Sequence, residues 1–264
     1  MYDFNYRKAA SLADAAKALG AAEDGKLVSG GMTLIPTLKQ RLAHPSDLID
    51  LGAIAELKGI KREGNAIVIG AMTRHYDVNA SDVVKSAIPG LAQLAGMIGD
   101  PAVRNRGTIG GSLANSDPAA DYPAAVLGLG ATIHTNERKI AADDFFKGLF
   151  ETALNPTEII SAVGFPIPEK SAYQKFRNPA SRYAIVGVYV AKTGGTVRVA
   201  VTGAGACAFR QKEMEAALAR SFTPDAIKDI KVSAAGLNSD IHASAEYRAH
   251  LVGVMARRAV AACG

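Results

Sequence analysis

The chain has 264 residues, 48% hydrophobic and 21% charged, with 30 Lys and Arg against 25 Asp and Glu for a net charge of +5. That composition fills a core and excludes a disordered chain, and the length suits one bilobed body or two to three small packed domains. No apolar run approaches the roughly 18 residues of a membrane-spanning helix, and Met1–Gly20 lacks the basic start and apolar stretch of a secretory signal.

Two cysteines, Cys207 and Cys263, are too few for a disulfide framework or for an all-cysteine zinc or iron–sulfur site. The histidines (His44, His75, His134, His242, His250) show no HxxxH or similar ligand spacing. Any metal used for electron handling therefore lies on another chain, or the cofactor is organic, and the reading is a reduced, cytoplasmic protein. The basic residues are scattered, Trp is absent and aromatics are 6%, so a base-stacking platform for nucleic acid is poorly supplied. The surplus charge reads as a solvated basic surface or one that meets an acidic partner protein.

In chain order, residues 11–20 read as a helix with Ser11 as N-cap, Asp14 three positions on and Gly20 as a stop. A short strand at 26–28 leads into Ser29-Gly30-Gly31-Met32-Thr33. A helix follows over 34–42 with Pro36 in its first turn, then a strand at 47–51. Residues 66–70 form a strand after Glu63-Gly64-Asn65, and 73–98 read as largely helical, broken at Pro89-Gly90. A second glycine-rich loop runs from Gly107 to Pro118, before an apolar helix at 122–129 and a strand at 130–134.

The last hundred residues read as a separate α+β lobe beyond a boundary near Pro166-Ile167-Pro168. Strands are expected at 159–165, 173–177, 184–192, 196–202 and 231–235, with Gly194-Gly195 as a hairpin turn, and helices at 211–220, 223–229 and 244–262.

Each glycine loop is a double glycine flanked by hydroxyl residues. A Gly-Gly step can take positive φ and lets the backbone approach a ligand with no Cβ in the way. Successive N–H groups then face one concavity, which suits a phosphate. Ser29, Thr33, Thr108 and Ser112 add hydroxyl donors, and the helix after the first loop adds its dipole. Two such loops suggest a ligand with two phosphates gripped from two sides; the plainer alternative is a pair of tight turns. Neither loop matches GxxxxGK[ST], which argues against a P-loop ATPase. A GxGxxG/A match at Gly203–Ala208, with Asp225 downstream, lies late in the chain and fits a strand-to-helix turn better than a dinucleotide fingerprint.

At these loops the chain resembles the FAD-binding medium subunits of the molybdenum hydroxylases, the family of xanthine dehydrogenase and aerobic carbon monoxide dehydrogenase. The matching runs are Leu27–Pro36, Ile69–Thr73, Asp100–Asp121 and, near the end, Ala245–Arg248 and Arg257–Val260. Within them Thr108-Ile109-Gly110-Gly111-Ser112-Leu113-Ala114-Asn115, followed by Asp117-Pro118, is the most specific. The resemblance implies an α+β, two-subdomain, vanillyl-alcohol-oxidase-like (PCMH-like) FAD-binding fold with a small C-terminal α+β domain: 1–55, 56–167 and 168–264. It implies an oxidoreductase subunit that takes electrons from the [2Fe–2S] clusters of a small partner and passes them to NAD⁺, quinone or O₂. A large molybdopterin subunit completes an expected dimer of heterotrimers.

Carried over by position, Leu27, Val28, Ser29, Gly30, Gly31, Met32, Thr33 and Leu34 resemble the first pyrophosphate loop. Gly107, Thr108, Gly110, Gly111 and Ser112 resemble the second. Ala114, Asn115 and Asp121 would reach ribityl, ribose or ring polar atoms, while Ile98, Gly99 and Val103 would line the channel. Ile160 resembles an apolar residue near the flavin, Lys175 a lysine near the ring whose charge would stabilise reduced flavin, and Tyr183 an aromatic beside the isoalloxazine. By residue type alone, Ile98, Val103 and Ile160 also suit a core, Lys175 an exposed strand, Asp121 a helix cap and Tyr183 inter-lobe packing. Two positions depart from the family: Met32 stands where His or Gln is common, and Arg182-Tyr183 replaces an acidic residue. A stand-alone flavin oxidase of the same fold would need its own substrate pocket, and no histidine lies in either loop for a covalent link. A partner-binding module with structural turns is the third reading. No Ser-His-Asp, paired-carboxylate or Cys-His set is visible in the loops.

Overall fold

The computed structural model describes residues 1–263. The chain opens with strand β1 (Asn5–Lys8), helix α1 (Leu12–Ala21), strand β2 (Gly25–Val28), helix α2 (Leu34–Lys39) and strand β3 (Asp47–Asp50). The strands form a parallel sheet in the order β1-β3-β2. Parallel neighbours need a crossover: α2 supplies it between β2 and β3, and α1 carries the chain from β1 to β2 on the far side of β3. Ser11 caps α1, its Oγ accepting from the Asp14 N–H at 3.1 Å. Gly20 is not the stop: the helix runs to Ala21 and closes at Ala22. Ala15, Ile49 and Ile54 are buried beneath this sheet.

Next come β4 (Ile60–Glu63), β5 (Ala66–Gly70) and a string of short helices: α3 (His75–Ala80), α4 (Asp82–Ala87), α5 (Pro89–Gly96), α6 (Pro101–Arg104) and α7 (Ile109–Asn115). Pro89 begins α5 rather than ending a helix, because proline's missing N–H costs nothing in a first turn. Helix α8 (Tyr122–Leu129) precedes β6 (Thr132–Thr135), β7 (Lys139–Ala141), α9 (Ala142–Phe145), the hairpin β8 (Phe146–Gly148) and β9 (Glu151–Thr152), and β10 (Ile160–Pro166). The five-stranded antiparallel sheet has the order β4-β5-β10-β6-β7.

The third sheet is an antiparallel meander of β11 (Lys170–Arg177), β12 (Ala184–Thr193), β13 (Thr196–Thr202) and β14 (Phe209–Arg210), backed by α10 (Lys212–Arg220) and α11 (Ala245–Ala262). Gly194, at φ +57°, makes the β12–β13 turn. The strand expected at 231–235 is absent: β14 takes the edge of β13, and Val232 packs as irregular chain against the core of this sheet. The helix expected at 223–229 shrinks to one 3₁₀ turn, Pro224–Ile227. The GxGxxG/A stretch turns from β13 to the antiparallel β14, so it opens no doubly wound sheet.

Helix α8 joins the second and third sheets. All its residues are buried, and it packs on β10, β12 and β13; a helix apolar all round belongs inside. Just before it, Pro118 and Ala120 carbonyls accept from Thr202 Oγ1 at 3.0 and 2.6 Å. Among the described residues no helix is long and apolar enough to cross a membrane.

Glu158 fixes the segment that leads into β10. Its carboxylate accepts from Arg138 Nε and Nη2 at 2.9 Å, from Thr135 Oγ1 at 2.7 Å and from the Asn155 N–H at 2.9 Å. Arg138, with burial opposing, holds it at about 2. A carboxyl lowered on folding stabilises above its ordinary value of 4.5 and loses that contribution as pH falls towards 2. Glu158→Gln is therefore expected to cost about 2 kcal/mol at pH 7 and progressively less below pH 4.5. Urea unfolding at pH 7 and pH 3 checks this, and an equal loss at both would refute it.

Candidate cofactor-binding cleft

The first glycine loop leaves β2 and turns at Gly31, whose φ is +73°. The backbone N–H groups of Ser29, Gly30, Gly31, Met32 and Thr33 donate to no acceptor among the described residues. A run of unpaired N–H groups in a turn is a nest for an anion.

The second double glycine is built differently. It is the first turn of α7 rather than a bend, with Thr108 as N-cap. The Ile109 and Gly110 N–H groups donate to the Thr73 and Ala71 carbonyls at 3.1 and 2.8 Å. That of Gly111 donates to Thr108 Oγ1 at 3.2 Å. These donors are already occupied, so the expectation of a second N–H nest is corrected. The glycines serve close packing instead: a Cβ on Gly110 would stand 2.6 Å from the Ala71 Cβ, and one on Gly111 2.6 Å from Ser29 Oγ.

The two loops abut. A Cβ on Gly30 would collide with the Arg106 carbonyl and lie 2.8 Å from the Gly107 Cα. Beside this backbone contact, Ser29 Oγ and Thr108 Oγ1 share a hydrogen bond of 3.0 Å. Over the junction opens a cleft of about 570 Å³. Leu27 to Leu34, Ile98, Gly99, Val103, Gly107, Thr108, Gly110 to Ser112, Ala114, Asn115, Asp121, Ile160 and Tyr183 all line it.

Lys175 does not line the cleft. Its amine is fully buried behind the wall, paired with Asp121 at 2.9 Å and donating to the Met97 carbonyl at 3.1 Å. Asp121 also accepts from the Tyr173 hydroxyl at 2.5 Å. Burial pushes the Asp121 carboxyl up, against the pull of Lys175 and Tyr173. Nor is Asp121 a side-chain cap of α8.

The cleft holds residues that the motifs did not single out. His75 lies under Gly107, and its backbone N–H donates to the Gly107 carbonyl at 3.0 Å. Burial, aided by Arg104, lowers its imidazole to about 4, so it is neutral at pH 7. Its Nδ1 and the neighbouring Tyr122 hydroxyl are buried without a hydrogen-bond partner. Asp117 lines the cleft with one oxygen accepting from the Ala119 N–H at 2.9 Å, and burial raises it. Leu154 to Ile159, apart from Thr157, form a further wall, and Arg182 reaches across from the third sheet to the Gly99 carbonyl at 3.2 Å. Leu154 to Ile159 carry no motif; His75 stands two residues after the Ile69–Thr73 match, which was the available signal.

Comparison with known proteins agrees with this arrangement. Residues 2–168 match the FAD binding domain in molybdopterin dehydrogenase, and residues 171–263 match the CO dehydrogenase flavoprotein C-terminal domain. The chain therefore belongs to the FAD-binding medium subunits of the molybdopterin-dependent dehydrogenases, which are oxidoreductases. It is 35% identical to the carbon monoxide dehydrogenase medium chain of Hydrogenophaga pseudoflava, over 97% of this chain and 96% of that one. It is 36% identical to the glyceraldehyde dehydrogenase medium chain of Sulfolobus acidocaldarius, over 97% of each. Among solved structures, reconstituted CO dehydrogenase from Oligotropha carboxidovorans superposes with a TM-score of 0.90 at 34% identity, over 99% of this chain and 98% of that one. The fold is that of these medium chains.

Two outcomes follow from the packing. Gly30→Ala forces the loops apart and Gly111→Val pushes Ser29 away, so each is expected to lose most bound flavin while the third sheet stays folded. Flavin absorbance per chain checks this, and stoichiometric flavin in either variant would contradict it. Lys175→Met leaves the Asp121 carboxylate buried and unpaired, a loss of about 3–5 kcal/mol. Urea unfolding measures it, and unchanged stability would mean that the pair is not formed.

Proposed function

We propose that the cleft holds FAD and that the chain relays electrons from the [2Fe–2S] clusters of a small partner subunit to an external acceptor, NAD⁺, quinone or O₂. The observation that carries this is the run of N–H groups from Ser29 to Thr33 without an acceptor among the described residues, in a loop that lines a cleft whose two glycine loops leave no Cβ at their contact. That is a seat for a dinucleotide diphosphate.

In this reading Leu27 to Leu34 grip the diphosphate by backbone. Gly107 to Ser112 press against the first loop and offer the Ser112 hydroxyl. Ala114, Asn115 and Asp121 meet ribityl, ribose or ring polar atoms. Ile98, Gly99 and Val103 line the channel, Ile160 supplies an apolar face and Tyr183 flanks the ring. Lys175 acts at one remove: it holds the Asp121 carboxylate in place. FAD supplies the electron-carrying chemistry when bound; the protein contributes binding, a shaped slot and hydrogen bonds. No residue of this chain is assigned a bond-breaking role.

The assembly we infer includes a large molybdopterin subunit and a small iron–sulfur subunit, as a dimer of heterotrimers. The relatives' names support it, since they are medium chains or medium subunits of named dehydrogenases and a hydroxylase. Within the chain we place three units at 1–55, 56–167 and 168–264, one around each of the three larger sheets. A cytoplasmic setting accords with two free cysteines.

The purified chain loaded with FAD is expected to show absorbance near about 370 and about 450 nm and to bleach with dithionite. Alone it should turn over no aldehyde, purine or alcohol; adding the iron–sulfur and molybdopterin subunits should bring flavin reduction by substrate. A colourless chain that takes up no FAD would overturn this reading, and substrate turnover by the lone chain would replace it with a stand-alone oxidase.

A further inference from the structure

The geometry points to a second, separate site behind the first glycine loop: a basic cavity that takes a phosphate-bearing small molecule. The cavity, of about 820 Å³, opens on the ends of β1 and β3, the Lys58–Ile60 segment, the start of α3 and Asn105-Arg106. Val28 to Gly31 and Thr108 border both it and the cofactor cleft, so one thickness of backbone separates the two.

Its charges do not balance. Lys8, Lys58, Arg74 and Arg106 face the carboxylates of Asp50 and Asp77. Arg74 neutralises Asp77 at 2.8 Å. Asp50 is engaged by the Tyr6 hydroxyl at 2.5 Å and the Gly52 N–H at 2.7 Å. Lys58 donates to the Gly52 carbonyl at 2.7 Å and forms no ion pair among the described residues, so with Asp50 still charged the concavity keeps an excess of positive charge. The side chains of Lys8 and Arg106 make no hydrogen bond or ion pair with any described residue.

Arg106 departs from fixed backbone, because its carbonyl packs on Gly30 and its N–H donates to the Val103 carbonyl at 3.2 Å. A guanidinium held on such a base, with two ammonium groups around the same concavity, matches phosphate oxygens better than it matches bulk water alone. If FAD occupies the front cleft, the shared wall links the two ligands: two phosphate groups one backbone layer apart repel, and each weakens the other by the same factor.

The test is calorimetric titration of the FAD-loaded full chain with inorganic phosphate, pyrophosphate and ADP at constant ionic strength. Saturable binding of at least one probe is expected, weakened about tenfold or more by Lys8→Glu and by Arg106→Ala. Lys228→Glu, which lies outside the cavity, should leave it intact. Tighter binding of ADP than of pyrophosphate would identify a nucleotide ligand; equal or tighter pyrophosphate would identify the bare anion. Three outcomes overturn the proposal: no saturable binding, binding that Lys8→Glu and Arg106→Ala both leave unchanged, or binding seen only in the FAD-free chain, which would assign the cavity to the flavin site. Lys8 is exposed at a strand end, so its variant tests the site without a folding defect. Failure of the FAD reading is distinct, since it shows as a colourless chain.

Discussion

The contact between Gly30 and the Arg106–Gly107 backbone is what the cofactor cleft depends on. It brings together two loops 79 positions apart, with the Ser29–Thr108 hydroxyl pair beside it. Backbone can meet backbone at this range only where no side chain intervenes, which makes glycine the residue that fits at position 30. Everything else in the cleft is arranged around that junction. The parallel sheet delivers the first loop from the end of β2, and the helix string after β5 delivers the second.

The two glycine pairs divide the labour. At the first, the chain leaves its N–H groups unpaired, which costs stability unless water or an anion takes them up. At the second, the N–H groups are spent on Thr73, Ala71 and Thr108, and the gain is a rigid helix start against which the first loop can rest. One loop is thus chemically open and the other mechanically fixed. An arrangement in which both were open would leave the junction held by little more than the hydroxyl pair.

Much of this was legible in the residues. Ser11 with Asp14, Gly194-Gly195, the apolar run before Gly130 and the turn at Gly30-Gly31 each correspond to a local rule that the structure obeys. What escaped was decided by tertiary partners. A Gly-Gly pair reads the same whether its N–H groups are free or bonded, so the helical start of α7 depended on Thr108 finding Gly111 and on carbonyls from Ala71 and Thr73. Lys175 sits in an alternating strand sequence that fits either face. Only the meeting of β11 with Asp121 and Met97, far away in sequence, buries its amine. Residues 231–235 have strand composition but no free edge beside β13 to join.

The titratable groups of the cleft are mostly committed to partners within the protein. Asp121 is committed to Lys175 and Tyr173, and Glu158 to Arg138. His75 is neutral, with no hydrogen-bonded carboxylate to orient it as a base. General acid–base work needs a group poised between its two forms and within reach of a reacting atom, whereas these carboxylates are held in ion pairs and His75 is held neutral. Of the cleft's carboxylates Asp117 has no cationic partner among the described residues, and its other oxygen shares the cleft with Arg182 and Tyr183. A site built this way fixes a preformed cofactor by shape and backbone donors while adding few proton-active groups of its own.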